Sequence, residues 1–400
     1  MHVTVKVAGV AALVMFLAPF ALCEQFQLKW QDAKDSPYLE CVREAPLRVV
    51  SVEAGAYSPA ATPAGIARGA FYARVRFPGG ESFTLLLDPA KVPALYVDAN
   101  QNNDFTDDTK YDGAVLGSGK SALSMYGNAA LFGPVELRLG SSQDAPGVKA
   151  LFEVYNKDLI IAYPAGVNAG EVAFGAGKFK VAVVDVNFNG RFDDVYPGNS
   201  GCDMLAIDAN KDKKFNSEGE VVPLTGMIPL GGEYYNIGVA ADGTALTVEK
   251  VKPKLGTLKA ESPGAKLNLI SQNGFYTLGG PAGKWDLPVG KYEVAGFSLA
   301  ASDSNGKWII DGIRTAGKSL TQEVKEGETS TLDIGAPLTP KLDVAGSRGT
   351  VSIGIVGLVG RGGETYSAAV NRNGARPAAP KLQILDEAGK VLAKGAFAYG

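Results

Sequence analysis

The sequence predicts an all-β protein built from tandem antiparallel β-sandwich domains. Apolar and polar side chains alternate with a period of two in segments such as 71–77, where Arg74 and Arg76 share the polar face. Turn pairs such as Asn273-Gly274 separate these segments, as hairpin connections require. Gly and Pro interrupt the candidate helices, so no long stretch combines a 3.6-residue apolar period with caps at both ends.

The composition is that of an ordinary globular chain that is long enough for several hydrophobic cores. The 400 residues are 46% apolar and 20% charged, which excludes a disordered chain. Glycine is abundant, with 50 residues, but it follows no G-X-Y period. Frequent turns between short strands therefore explain it better than a collagen-like helix.

A charged connector containing Pro and Gly at 251–256 divides the chain into two halves. All of the acidic loops lie before this connector. The expected organisation is a signal peptide at 1–23, a β-domain with the first loop at 24–130, a β-domain with the second and third loops at 131–250, a β-sandwich at 255–345, and a further β-sandwich, complete or incomplete, at 346–400.

The N-terminus has the pattern of a secretory signal peptide. Lys6 precedes the apolar stretch 7–22, and cleavage is expected near the bond between Cys23 and Glu24. Lipidation of Cys23 and an uncleaved anchor are the two alternatives. No later segment has eighteen uninterrupted apolar residues, so we expect a mature chain without membrane insertion, secreted, periplasmic or at the cell surface.

Charge and histidine content exclude several classes of function. The net charge is −3, and the basic residues form no stripe, so nucleic acid is not an expected partner. The sole histidine is His2, inside the predicted signal peptide. The mature chain therefore lacks Ser-His-Asp and Cys-His systems and the common zinc sites. Carboxylate and amide oxygens remain, and these suit a hard cation.

Two cysteines, Cys41 and Cys202, remain after cleavage at Cys23. An even number in an oxidising compartment is compatible with a disulfide bond. Two buried thiols are the alternative, because spacing along the chain does not show whether the Cα atoms approach each other.

Three acidic loops, at 98–108 (loop one), 185–194 (loop two) and 208–220 (loop three), share one spacing. Oxygen-bearing side chains occupy positions 1, 3 and 5 and Phe occupies position 8, counted from the first Asp. The expected ligands at positions 1, 3 and 5 are Asp98, Asn100 and Asn102, then Asp185, Asn187 and Asn189, then Asp208, Asn210 and Asp212. Backbone carbonyls at position 7 and later carboxylates complete the candidates: Asp104, Asp107 and Asp108 in loop one, Arg191, Asp193 and Asp194 in loop two, and Lys214, Glu218 and Glu220 in loop three.

Calcium explains this spacing, because it takes six to eight oxygen ligands and alternate residues of a tightly curled loop converge on one point. Magnesium is less expected, since no phosphate partner is evident. The alternative is that Asp and Asn cap their own backbone in ordinary turns. Three loops with one pattern favour metal binding. Loops two and three begin close together in the chain, and we expect them to face each other.

The loops resemble the calcium loops of EF-hands, dockerins and thrombospondin type 3 repeats. They depart from EF-hands in lacking Glu at position 12 and in following strand-like segments, so we expect them on β-domains. Residues 287–294 resemble carboxypeptidase-regulatory, or prealbumin-like, sandwich domains, which implies a non-catalytic spacer or binding module. The whole arrangement is similar to secreted bacterial proteins with dockerin-like loops.

The expected function is an exported, non-catalytic, calcium-binding structural or adhesive protein of the cell surface or extracellular matrix. Its partner would be a cell-surface protein or a polysaccharide. A carbohydrate-binding module with Trp285 or Trp308 on an exposed face is one alternative. A calcium-dependent polysaccharide hydrolase is another, and it requires two carboxylates about 5–10 Å apart in a cleft.

Overall fold

The computed structural model describes residues 23–44, 51–53, 57–78, 80–117, 129–139, 147–197, 201–215, 219–262, 264–280, 283–304, 306–313, 320–347 and 350–397. The predicted signal segment 1–22 and the candidate ligand Glu218 lie outside these described residues. No helix within the described part of the chain has the length and hydropathy needed to cross a bilayer.

Short strands make up most of the first half, and the single helix of the described residues, α1 Tyr38–Glu44, follows its second strand. The strands are β1 Glu24–Gln27, β2 Lys29–Asp32, β3 Ser51–Glu53, β4 Phe71–Arg76, β5 Ser82–Asp88, β6 Ala94–Val97, β7 Lys110–Asp112, β8 Ala114–Val115, β9 Ala130–Arg138, β10 Gly147–Asn156, β11 Leu159–Pro164, β12 Gly166–Phe174, β13 Gly177–Val184, β14 Met204–Ile207, β15 Val221–Pro223, β16 Met227–Leu230, β17 Glu233–Val239 and β18 Ala245–Val251.

The second half continues in the same way. Its strands are β19 Leu255–Ala260, β20 Ala265–Ser271, β21 Gly274–Leu278, β22 Lys284–Pro288, β23 Gly290–Asp303, β24 Gly306–Ile313, β25 Thr321–Val324, β26 Thr329–Leu332, β27 Thr339–Ser347, β28 Thr350–Val359, β29 Thr365–Tyr366, β30 Asn371–Arg372, β31 Lys381–Leu385 and β32 Val391–Ala396. The all-β prediction is confirmed. The described strand pairs are antiparallel, apart from the parallel pair β19–β26.

Four sheets stack in the first half, in the order β3 to β7, then β8 to β11, then β2 with β12 to β15, then β1 with β16 to β18. Three hydrophobic cores fill the spaces between them. In β13, Val181 and Val183 enter the third core, whereas Ala182 and Val184 point to the opposite face and enter the second. The two inner sheets are therefore covered on both faces, which explains their apolar runs.

Packing is continuous across two of the expected domain limits. The first core combines Phe83 and Leu95 with Phe132 and Phe152, on either side of residue 130. In the second half, one nine-stranded sheet extends from β20 to β30 and crosses residue 345. The limits at 130/131 and 345/346 stay predictions. In contrast, no described strand pair joins the segment before Val251 to the segment after Leu255.

The second core contains Cys41, which is fully buried on α1 and is a free thiol. The possible disulfide between Cys41 and Cys202 is therefore not formed. Burial raises the pKa of the Cys41 thiol to about 12, so the group behaves as a small apolar side chain.

Each acidic loop connects two neighbouring antiparallel strands. Loop one joins β6 to β7, loop two joins β13 to β14, and loop three joins β14 to β15. Because β13 and β14 run antiparallel, loops two and three lie at opposite ends of β14. The expectation that they face each other is wrong, because the four residues of β14, about 13 Å of strand, separate the two loops.

Candidate metal centre

The three loops share one backbone curl. Left-handed backbone recurs at positions 4 and 6, with φ values of 58° and 68° at Gln101 and Asn103, 59° and 76° at Phe188 and Gly190, and 63° and 68° at Lys211 and Lys213. This conformation costs free energy for any residue except glycine, and only loop two has glycine at position 6. Its repetition at identical positions shows that the spacing of Asp and Asn produces one local structure.

A buried aspartate at position 1 closes each curl. Asp98, Asp185 and Asp208 are 4%, 7% and 3% exposed. Their carboxylates accept hydrogen bonds from backbone N–H groups at positions 5 and 6. The bonds come from Asn102 and Asn103 at 3.0 and 3.1 Å in loop one, from Asn189 and Gly190 at 3.3 and 2.8 Å in loop two, and from Lys213 at 3.0 Å in loop three.

The side chains at positions 3 and 5 converge on a carboxylate at position 10 in loops one and two. Asn100 and Asn102 donate through Nδ2 to the same atom, Oδ2 of Asp107, at 3.2 and 2.8 Å. In loop two, Nδ2 of Asn187 and Nδ2 of Asn189 donate to Oδ2 of Asp194 at 2.9 and 2.6 Å. The polar side chains therefore gather around one centre instead of spreading into solvent.

The oxygens at positions 3 and 5 also accept backbone hydrogen bonds from two residues further on. The acceptor–donor pairs are Asn100–Asn102 at 3.1 Å, Asn102–Asp104 at 2.8 Å, Asn187–Asn189 at 3.0 Å, Asn189–Arg191 at 2.8 Å, Asn210–Asp212 at 2.8 Å and Asp212–Lys214 at 2.8 Å. Ordinary Asx turns make the same bonds, so these bonds alone do not distinguish a metal loop from a turn.

Each loop region also holds a buried carboxylate oxygen that has no hydrogen-bond partner among the described residues. The three atoms are Oδ2 of Asp108, Oδ1 of Asp203 and Oδ1 of Asp208. Leaving such an oxygen unpaired costs about 1–3 kcal/mol, and more when the group is charged. An unsatisfied buried acceptor calls for a specific partner, and a cation is one.

The raised pKa values of carboxylates in and beside the loops also favour a bound cation. Burial, together with the nearby negative charges of Asp98 and Asp107, raises the pKa of Asp108 to about 6. Burial likewise raises the pKa of Asp185 to about 6 and that of Asp203 to about 8, the latter with help from the charge of Asp185. A bound cation would relieve both the burial cost and the repulsion between like charges.

Asp203 was not among the candidates from the sequence. It is fully buried, and its Oδ2 accepts a hydrogen bond from the N–H of Asp194 at 3.0 Å. It lies just before β14, outside the 1-3-5 spacing, and pairing of β14 with β13 brings it back to loop two. The one signal in the sequence is a carboxylate immediately preceding an apolar strand.

Other predicted ligands occupy different surroundings. Asp193 forms an ion pair with Arg191, whose Nε and Nη2 atoms lie 3.0 and 2.7 Å from the carboxylate oxygens. The carboxylate of Asp104 accepts from the N–H and Oγ1 of Thr106, which lowers its pKa. Glu220 is buried, and it accepts from the N–H of Asn210 at 3.3 Å, so it closes loop three.

Phenylalanine at position 8 attaches the loops to the cores. Phe105 and Phe215 are 0% and 1% exposed, whereas Phe192 is half-buried against the third core. In loop two, Phe188 at position 4 is also buried in the first core, with its ring centroid 5.3 Å from that of Phe77. Phe105 and Phe215 therefore anchor loops one and three to hydrophobic clusters, and Phe192 anchors loop two in part.

Carboxylates alone do not complete a metal shell. Within the described ranges, no group of three or more His, Cys, Asp or Glu side chains is arranged to hold a metal ion. A cation in these loops would therefore need amide and backbone carbonyl oxygens as well, which calcium accepts and transition metals seldom do.

The two tryptophans proposed for sugar stacking are partly covered by other residues of the chain. Trp285 is half-buried and donates through Nε1 to the carbonyl of Gly279 at 3.1 Å. Trp308 is also half-buried, and the guanidinium of Arg372 lies over its ring at 5.3 Å from the centroid.

Comparisons with protein-family models, with curated proteins and with solved structures found no match.

Proposed function

We propose that the protein is an exported, calcium-binding structural or adhesive protein of the cell surface or surrounding matrix. Calcium in the acidic loops would stiffen the stacked sheets of the first half. One observation carries this proposal: each loop region has a buried carboxylate oxygen without a hydrogen-bond partner among the described residues. A cation supplies the missing partner at all three places.

The residues that would hold the ions are mixed oxygen donors. They are Asp98, Asn100, Asn102, Asp107 and Asp108 in loop one, Asp185, Asn187, Asn189, Asp194 and Asp203 in loop two, and Asp208, Asn210, Asp212 and Glu220 in loop three. Calcium suits such sets better than magnesium does, because magnesium requires near-ideal octahedral geometry and usually keeps several waters. The ion would supply charge neutralisation and loop order.

A structural role follows from where the loops are attached. Phe105 lies in an apolar cluster on one face of the first sheet and Phe215 lies in the second core, so ordering loops one and three restrains the sheets against which these rings pack. Burial raises the pKa values of Asp108, Asp185 and Asp203, and all three lie in or beside the loops. All three are candidate metal ligands, which favours a metal-binding role for them over general acid catalysis.

Export and surface location rest on the predicted signal peptide. The second half would act as a spacer or binding module, in keeping with its resemblance to carboxypeptidase-regulatory domains. The partner would be a cell-surface protein or a polysaccharide.

Thermal unfolding of the mature chain with calcium, magnesium or chelator tests the calcium proposal. A site at a free calcium concentration of 100 times its Kd adds about 2.7 kcal/mol, which raises the Tm by about 5–10 °C. Magnesium should give a smaller shift.

The triple variant Asp98→Ala, Asp185→Ala, Asp208→Ala should lose the calcium shift. Asp158→Ala removes an exposed aspartate outside the loops, and it should keep the shift. Coincident melting curves of the unmodified protein in calcium and in chelator would refute the proposal.

A further inference from the structure

A cavity of about 260 Å³ lies beside loop two. Its wall includes Trp30 of β2, Val148 and Lys149 of β10, and Phe188 and Phe192 of loop two. Small-molecule sites usually have volumes of about 300–1,000 Å³, so this cavity suits a ligand of about one ring.

Trp30 is held in a fixed position at the edge of this cavity. It is 41% exposed, unlike the half-buried Trp285 and Trp308. Its Nε1 donates to Oδ1 of Asp32 at 3.0 Å, and the indole lies against Gly166 so closely that a Cβ there would collide with Cζ2. A fixed aromatic ring binds with little loss of conformational entropy.

The residues that line the cavity indicate which class of ligand it can bind. Trp30 and the half-buried Phe192 offer the main apolar contact, because Phe188 and Val148 are largely buried in the first core, and the charged groups are Lys149 and Asp185. Lys149 pairs with Glu136 at 3.5 Å, and Asp185 belongs to the acidic donor set of loop two, so the wall has no excess of positive charge to favour a phosphate or another anion. A neutral ligand with an apolar face and hydroxyl groups at its edge fits, since the face packs on the indole and the hydroxyls hydrogen-bond at the rim. A pyranose ring has this form.

We propose that this cavity is a binding site for one neutral pyranose residue of a polysaccharide, with Trp30 as the stacking surface. The proposal names the partner of the adhesive protein and in that respect rests on the proposed function, because Phe188, Gly190 and Phe192 of loop two line the cavity. Calcium in loop two would hold these residues in place and should strengthen sugar binding.

The test uses the mature full-length chain, immobilised neutral polysaccharides and isothermal titration with their oligosaccharides, in calcium and in chelator. Trp30→Ala should weaken binding at least tenfold, and Trp30→Phe should recover part of it because a smaller ring remains. Trp285→Phe serves as the matched control and should bind like the unmodified protein. The calcium-induced Tm shift should be unchanged in all three variants.

The outcomes separate the two proposals. Absence of binding to every polysaccharide, or binding that Trp30→Ala leaves intact, would overturn the sugar site, while a normal calcium shift would leave the calcium proposal standing. Sugar binding that depends on Trp30 but occurs without any calcium shift would support the cavity and overturn calcium binding.

Discussion

Replacing Asp203 with asparagine removes one buried charge from loop two with almost no change of size. Oδ1 of the asparagine can still accept the hydrogen bond that the N–H of Asp194 donates. In chelator, we expect Asp203→Asn to stabilise the protein at pH 8, because the buried charge and its repulsion from Asp185 are gone. In calcium, the same variant should lose stabilisation, because loop two loses a ligand. These opposite signs distinguish a metal ligand from an ordinary core residue.

The pH dependence of the free energy of unfolding gives the size of the effect of Asp203. Burial raises the pKa of Asp203 from an ordinary 3.8 to about 8 in the metal-free fold. The folded state therefore keeps a proton that the unfolded chain releases, and the stability from this group, fully present below the unfolded pKa, is lost as pH rises towards 8. At about 1.4 kcal/mol per pH unit, the loss between pH 5 and pH 8 is at most about 4 kcal/mol. Asp203→Asn should remove this part of the dependence of the free energy of unfolding on pH.

Urea unfolding in chelator at several pH values measures the effect. Fluorescence of Trp30, in a Trp285→Phe/Trp308→Phe background, reports on the first half alone. Asp193→Asn is the matched control, because it removes one charge from the same loop at a residue that pairs with Arg191. Equal pH slopes for the Asp203→Asn variant and its parent would refute the reasoning.

Three other substitutions or probes have definite expected outcomes. Asp185→Ala should lower the calcium stoichiometry measured by titration calorimetry by one, whereas Asp193→Ala should leave it unchanged; equal losses would contradict the assignment. Phe105→Ala should cost about 3–5 kcal/mol in urea unfolding, because the ring is fully buried beside Tyr72, and a cost below about 1 kcal/mol would show that loop one is not anchored there. Cys41, as the remaining cysteine of a variant, should react with a thiol reagent only on unfolding, since burial raises its pKa to about 12, and rapid labelling of the native protein would contradict this.

Local patterns in the chain predicted the fold class and most of the candidate site. Period-two alternation indicated strands because neighbouring side chains of a strand point to opposite faces. The 1-3-5 spacing indicated the loop curl, because Asx side chains bond to backbone two residues away. Asp107 and Asp194, at position 10, are among the later carboxylates that the sequence offers as candidates, and each accepts hydrogen bonds from the side chains at positions 3 and 5.

The tertiary structure alone decided which distant groups meet. Asp203 reaches loop two because β14 pairs with β13, and the same pairing sends loops two and three to opposite ends of β14. The free thiol of Cys41 and the cavity beside Trp30 likewise depend on how sheets stack. The chain determines local geometry over a few residues by sterics and hydrogen bonding, whereas strand order and sheet packing are set by burial of surfaces far apart in sequence.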